Sequence, residues 1–150
     1  MSDNSATKPI LDELTKRFFN LFTNKDRIEP DVDNIYQLCI AEAVIIKNTG
    51  TTPEIYRLEQ FVNPRKKILT DGTLTDFSEE EVTERTEIFG NIAQRFCLYK
   101  KSGYLSGHYF ETKGMKTIQF VNTPSGWKIS SLAWDDERDE LSIQAEFFKK

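Results

Sequence analysis

The sequence holds one histidine, His108, and two cysteines, Cys39 and Cys97, in 150 residues. A metal centre needs several His, Cys, Asp or Glu ligands converging on one point, and this stock does not supply the usual set, so no metal site is expected. Both cysteines lie in apolar periodic segments and read as reduced core thiols rather than a disulfide. A catalytic thiolate needs a base or cation beside it, and nothing in the sequence brings His108, in a glycine-rich turn region, next to either cysteine. Long hydrophobic runs are also missing. No stretch approaches the roughly 18 apolar residues of a membrane span, and the opening MSDNSATK lacks the apolar run of a secretory signal. A cytoplasmic protein without membrane contact is expected. Positive charge is in deficit: the net charge of −4 and a pI near 5.1 weigh against nucleic acid, which is held by clustered Lys and Arg. The seven glycines form neither a phosphate-cradling spacing nor a nucleophile elbow, and no cofactor is expected.

What is abundant is aromatic surface. Aromatics make up 12% of the chain, eleven of them Phe, so a single domain of this length can bury a core without staples. Pro9 near a helix start, with Asp12 and Glu13 early and Lys16 and Arg17 late, suits the helix dipole. Ile10, Leu11, Leu14, Phe18, Leu21 and Phe22 give that helix one apolar stripe. A shorter helix is expected through Ile35, Leu38 and Cys39, then a strand at Val44-Ile45-Ile46 that stops at Asn48-Thr49-Gly50. Thr52-Pro53-Glu54 reads as the start of a third helix that buries Ile55, Leu58, Phe61 and Val62 until Pro64 disturbs it.

After Asp71-Gly72 the hydrophobic period falls to two. Residues 79–89 and 92–101 read as strands joined by a tight turn at Gly90-Asn91, which sets Phe89 opposite Ile92. One face then carries Thr83, Arg85, Glu87, Phe89, Ile92, Gln94, Phe96 and Leu98. The other carries Val82, Glu84, Thr86, Ile88, Ala93, Arg95, Cys97 and Tyr99. Neither is purely polar, so both are expected to be covered in part. Met115–Asn122 and Trp127–Trp134 form a second hairpin across Thr123-Pro124-Ser125-Gly126, and the intervening SGYLSGHYFETKG suggests bulged strand ends. The single domain spans 1–150, with a core of about 8–137 and a charged tail at 138–150.

Three helices and one early strand followed by a meander of long antiparallel strands is an α+β layout. In FVNPRKKILTDG (61–72), IFGNIAQRFCLYKKSG (88–103) and KTIQFVNTPSGWKISSLAWDDE (116–137) the chain resembles the nuclear transport factor 2-like superfamily, which includes SnoaL-like cyclases and ketosteroid isomerase. The resemblance is to uncharacterised bacterial-type members and covers roughly residues 8–137. It implies a cone-shaped, cystatin-like fold, with about three N-terminal helices packed in a strongly curved antiparallel sheet. It also implies an internal cavity open at one end and a homodimer through the sheet. Ketosteroid isomerases use an Asp at the end of the first strand, a Tyr from the first helix and an acid on a later strand. Here IAEAVIIKNTG puts Lys47 where that Asp would stand, and the first helix offers Phe18 and Phe19 but no Tyr. Isomerase chemistry of that kind is not expected.

Lys47 ends an apolar strand, where a dry cavity would lower its pKa and make it a base or nucleophile. Glu84 and Arg95 are diagonal neighbours within charge-pairing distance on one hairpin face, and a structural pair is favoured over a ligand anchor. The candidate catalytic residues are therefore Lys47 and Glu84. Tyr36, Tyr56, Arg95, Tyr99 and Trp134 are the candidate pocket residues, with Tyr104 and Tyr109 as further aromatics. Asp135-Asp136-Glu137 reads as a solvated cap, and Arg65-Lys66-Lys67, the one basic run, as a solvated helix face in preference to an anion-binding site. Whether such a pocket turns its ligand over is left open by these residues. The leading expectation is a small-molecule-binding protein with a mostly apolar pocket and cofactor-free acid–base chemistry of the SnoaL-like kind. The alternative is a non-catalytic dimerisation or association module whose cavity is plugged by its own aromatics.

Overall fold

The computed structural model describes residues 4–144. Its elements run α1 (Thr7–Asn20), α2 (Ile35–Leu38), β1 (Cys39–Lys47), β2 (Glu54–Tyr56), α3 (Leu58–Thr70), β3 (Leu74–Phe89), β4 (Ile92–Leu105), β5 (His108–Thr123) and β6 (Gly126–Asp136). The strands form one six-stranded sheet in the order β2-β1-β6-β5-β4-β3. The α+β layout of three helices and a curled sheet is as expected, with one correction: β1 lies parallel to β6, so the sheet is mixed rather than antiparallel throughout.

Leu11, Leu14, Thr15, Phe18 and Phe19 recur at helical spacing and are the buried side of α1. Ile10, expected in that stripe, is 47% exposed because it falls on the flank of the helix, beyond the edge of the buried side. α3 begins at Leu58 rather than near Pro53. Residues 54–56 pair with β1 instead, which leaves Ile55 on the outside, and the Gln60 side chain accepts a hydrogen bond from the Arg57 N–H at 2.9 Å to open the helix. The helix also continues through Pro64 to Thr70. Pro64 and Gln60 both face solvent, so the carbonyl that loses its partner can bond to water.

The Gly90-Asn91 turn has the positive φ of 56° at Gly90 that a two-residue hairpin of this kind requires, and Phe89 pairs with Ile92 as the register predicts. The strands are longer than expected. β3 starts at Leu74, and β4 and β5 form an unbroken ladder from Ile92↔Val121 to Leu105↔His108, so SGYLSGHYFETKG makes a regular hairpin end and not bulged strands. A bulge does face that segment from β3, where the register with β4 shifts between Thr75 and Ser78, and further bulges lie away from it. β3 has an extra residue between Glu81 and Thr83, and the β5–β6 register shifts between Gln119 and Phe120. Each turns the strand over by one residue. The first sends Val82 outward and sets Glu79 and Glu81 on the inner face with Glu84. The second sets Leu132, Trp134 and Asp136 on the inner face with Ile129.

The core lies between the helices and this inner face, and includes Phe18, Phe19, Ile35, Leu38, Ile45, Phe61, Cys97, Tyr99, Ile118, Phe120 and Ile129. Cys39 and Cys97 are both buried and unpaired, and burial pushes their thiols up to about 12. Such thiols stay protonated and inert. Among the described residues no helix is long and apolar enough to cross a membrane. The Phe147-Phe148 pair of the tail lies outside the described residues.

Candidate functional site

A cavity of about 360 Å³ opens between α1, α3 and the inner sheet face. Its wall includes the rings of Phe18, Phe22, Phe61, Phe77, Phe110 and Trp134, with Lys47, Arg65, Glu79, Lys101, Lys116 and Asp136 among them. A larger surface hollow of about 790 Å³ around Asp26–Pro30 is lined mostly by exposed loop residues and gathers no comparable set of side chains.

Two internal ion pairs define the polar part of the cavity. Lys116, only 4% exposed, donates to Glu79 Oε1 at 2.9 Å. Its ammonium sits 4.5 Å from the ring centroid of Phe19, 5.0 Å from Tyr99 and 5.2 Å from both Phe18 and Trp134. Four aromatic faces and one carboxylate replace the water this charge has lost. Asp136 accepts a hydrogen bond from the Tyr99 hydroxyl and is paired with Lys101 at 3.2 Å. Burial first, then the Asp136 carboxylate, raise the Tyr99 phenol far above its ordinary value, so it stays a proton donor. Tyr99 reaches Asp136 by crossing Gly114, its direct partner on β5. A Cβ there would collide with the Tyr99 ring, its hydroxyl and the Asp135 carbonyl.

Arg65 projects from α3 across the Phe61 ring at 3.7 Å to the centroid, with Tyr56 at 5.3 Å and Trp134 at 6.0 Å. One guanidinium nitrogen donates to the Phe61 carbonyl at 3.2 Å. Burial lowers the guanidinium from its ordinary value, with the Tyr56 hydroxyl and the more distant Glu54 opposing that shift.

A second polar cluster lies outside the cavity, under α1. Arg95 is 1% exposed and donates to Asp12, to Thr15 Oγ1 at 3.1 Å, to Thr86 Oγ1 at 2.9 Å and to Glu81 at 3.3 Å. Glu84 completes it at 3.8 Å from Arg95 and 2.7 Å from Lys8. Burial raises the Glu81 carboxyl, with Arg95 opposing it only in part. Burial also pushes Asp12 and Glu84 up, but hydrogen bonds from Arg95 and Lys8 to Asp12, and from Lys8 and Thr86 to Glu84, outweigh it and leave both below the usual carboxylate range.

Of the residues singled out from the sequence, Lys47 and Trp134 line the cavity and Tyr99 stands behind it as partner of Asp136. Tyr56 packs on Phe61 at the edge of the Arg65 stack. Glu84 and Arg95 form the expected charge pair, away from the cavity, and Tyr36 is 50% exposed. Arg65, Lys116, Glu79 and Asp136 were not among the candidates. For Arg65 a signal existed: counted from Phe61 it falls at i+4, on the same helical face as Leu58, Phe61, Val62 and Leu69. For Asp136 alternation from Trp134 gives the same answer. For Glu79 the face was hidden by the bulge at Val82.

No protein-family model matches this sequence, and no curated protein matches it. Solved structures do. A nuclear transport factor 2-like superfamily protein from Salmonella enterica serovar Typhimurium has a TM-score of 0.75 at 16% identity, over 91% of this chain and 95% of that one. A nuclear transport factor 2-like protein of unknown function from Prochlorococcus has a TM-score of 0.69 at 15% identity, over 90% and 95%. A Xanthomonas campestris protein provisionally named a calcium/calmodulin-dependent protein kinase II association domain has a TM-score of 0.62 at 11% identity, over 93% and 91%. At these identities the likeness is one of fold, and the fold of this chain is that of the nuclear transport factor 2-like proteins.

Proposed function

We propose that the protein binds a small molecule with a largely apolar body in the cavity beneath α1 and α3. One observation carries this reading: six aromatic rings share the wall with two internal ion pairs, so an apolar surface and a few fixed polar groups converge on one space. Its volume of about 360 Å³ suits a ligand of small to moderate size. In this reading, SnoaL-like acid–base chemistry falls to Asp136, which is held by a phenol and an ammonium, and to Lys47 at the end of β1. Sterols, polyketide-like aromatics and fatty acids, screened by thermal shift, are the test. A saturable rise in the unfolding midpoint for one class is expected, and a panel without any rise would remove the reading.

A second reading has its own observation. Phe89 is 84% and Ile92 59% exposed at the end of the β3–β4 hairpin, and Val82 53% in the middle of β3, an apolar surface on which two copies of the chain can pair through the outer sheet face. The two readings are compatible, since they use opposite faces of the sheet.

A further inference from the structure

The charges around the cavity do not balance. Lys47, Arg65, Lys101 and Lys116 face Glu79 and Asp136, an excess of two cations over carboxylates. The two carboxylates are committed, Glu79 to Lys116 at 2.9 Å and Asp136 to Lys101 at 3.2 Å. Among the described residues, no carboxylate lies within 4.0 Å of either remaining cation, Arg65 or Lys47. Lys47 is half-buried on the cavity wall at the end of β1. Arg65 is different, because its guanidinium, on the same wall, is laid flat on Phe61. A guanidinium carries five N–H donors, and the described hydrogen bonds from Arg65 go only to the Phe61 carbonyl and the Tyr56 hydroxyl. The planar fork that remains has the geometry of a bidentate carboxylate receptor, and stacking on Phe61 fixes its plane in advance.

We infer that the ligand of this cavity is a monocarboxylate with an aromatic or otherwise apolar body, its carboxylate seated on Arg65 and its body among the rings of Phe22, Phe61 and Phe110. This rests on the small-molecule reading above and adds the class of ligand. Lys47, also on the wall, contributes longer-range attraction rather than a fixed contact. A neutral ligand of the same shape would fill the same apolar space but leave the Arg65 fork unanswered in a partly desolvated site, which is a direct cost to affinity. A dianion would carry one charge more than Arg65 can meet bidentately.

The test is a matched set of probes: 2-naphthylacetate and 4-phenylbutyrate, each against its corresponding alcohol, titrated by calorimetry into the full chain. The expected result is that each acid binds about tenfold or more tightly than its alcohol, as a charge-assisted bidentate contact would give. That preference is lost in Arg65→Gln, while the alcohol's affinity is unchanged. Arg65→Lys recovers it in part, because charge is restored without the fork. Acid and alcohol binding equally would overturn the inference and leave the small-molecule reading standing. A preference that survives in Arg65→Gln would overturn the assignment to Arg65. Binding of neither acids nor alcohols, together with a blank thermal-shift panel, would overturn both. Should Arg65→Gln fail to fold, the wild-type acid-to-alcohol ratio and its decline between 50 mM and 500 mM NaCl decide the question, since only a charged contact weakens with salt.

Discussion

Gly114 and Arg95 show how single residues hold the inner sheet face. Gly114 is required because Tyr99 lies across it, and the Gly114→Ala methyl would meet ring, hydroxyl and backbone together, so the packed Tyr99 ring would have to move. Gly114→Ala is expected to cost about 1–3 kcal/mol in urea unfolding and to shift Tyr99 off Asp136. The cost should shrink in the Tyr99→Leu background, where the obstructing ring is gone, and a strictly additive double variant would show that the two do not collide. Arg95 is held by Asp12, Glu81 and Glu84 in a site it fully occupies. Arg95→Met leaves Glu81 without its cation and Asp12 and Glu84 with Lys8 alone, and is expected to cost about 3–5 kcal/mol at neutral pH. The pH dependence follows from the shifts. Asp12 and Glu84 sit below the usual range, so their contribution is present above it and is lost as pH falls through their lowered values. Glu81 sits above it and acts oppositely, favouring the folded state as it takes up its proton on acidification. The difference between wild type and Arg95→Met should therefore narrow as pH falls from 7 through the lowered values of Asp12 and Glu84, where these carboxylates take up their protons. A constant difference across that range would refute the charge account. Legibility at this scale was uneven. The Glu84–Arg95 pair could be read from register, whereas Arg65 was hidden by its neighbours Lys66 and Lys67, whose exposure gives the run its solvated character.

Among the elements, α3 is the one in which local sequence and final structure disagree most. Pro64 removes an N–H from the helix interior and still the helix runs to Thr70, because Phe61, Val62 and Leu69 bury enough apolar surface to outweigh it. Pro64→Ala is therefore expected to stabilise the protein by about 1–3 kcal/mol, read as a higher urea midpoint with unchanged slope. No gain would mean that the carbonyl of Gln60 is already well satisfied. The same contest explains which elements could be read in advance. The β3–β4 hairpin was legible because Gly90 fixes its turn and the turn fixes the register. The start of α3 was not, because Thr52-Pro53 carries strong helix-start chemistry while pairing of Ile55 and Tyr56 with β1 decides the matter from across the sheet. Bulges leave the weakest trace of all. One inserted residue at Val82 and one shift near Ser130 reverse the inward side of everything beyond them, and the cavity charge Glu79 lies in such a reversed segment, whereas Asp136 can still be counted from Trp134.

The whole molecule has two apolar surfaces with different fates. The inner face is spent on the helices and the cavity, whereas the outer face keeps Phe89 and Ile92 in solvent at 84% and 59% exposure, directly paired across the hairpin, with Phe96, Leu98, Met115 and Val121 partly exposed further along β4 and β5. Exposed aromatic and β-branched side chains in one strip cost solubility unless they are covered. A second copy of the chain can cover them, because one surface strip can meet the same strip of another copy across a two-fold axis. The pairing proposed above predicts a light-scattering mass of roughly 35 kDa, twice the 17.4 kDa of the chain, at micromolar concentration. A double substitution of Phe89→Asp and Phe96→Asp places like charges in that contact and should return the mass to that of one chain. Because these residues point away from the cavity, the same double variant should retain the ligand response in thermal shift. A wild-type mass of a single chain under these conditions would remove the pairing while leaving the cavity reading untouched. Loss of mass and ligand response together in the variant would instead show that the cavity depends on the second subunit to hold its shape.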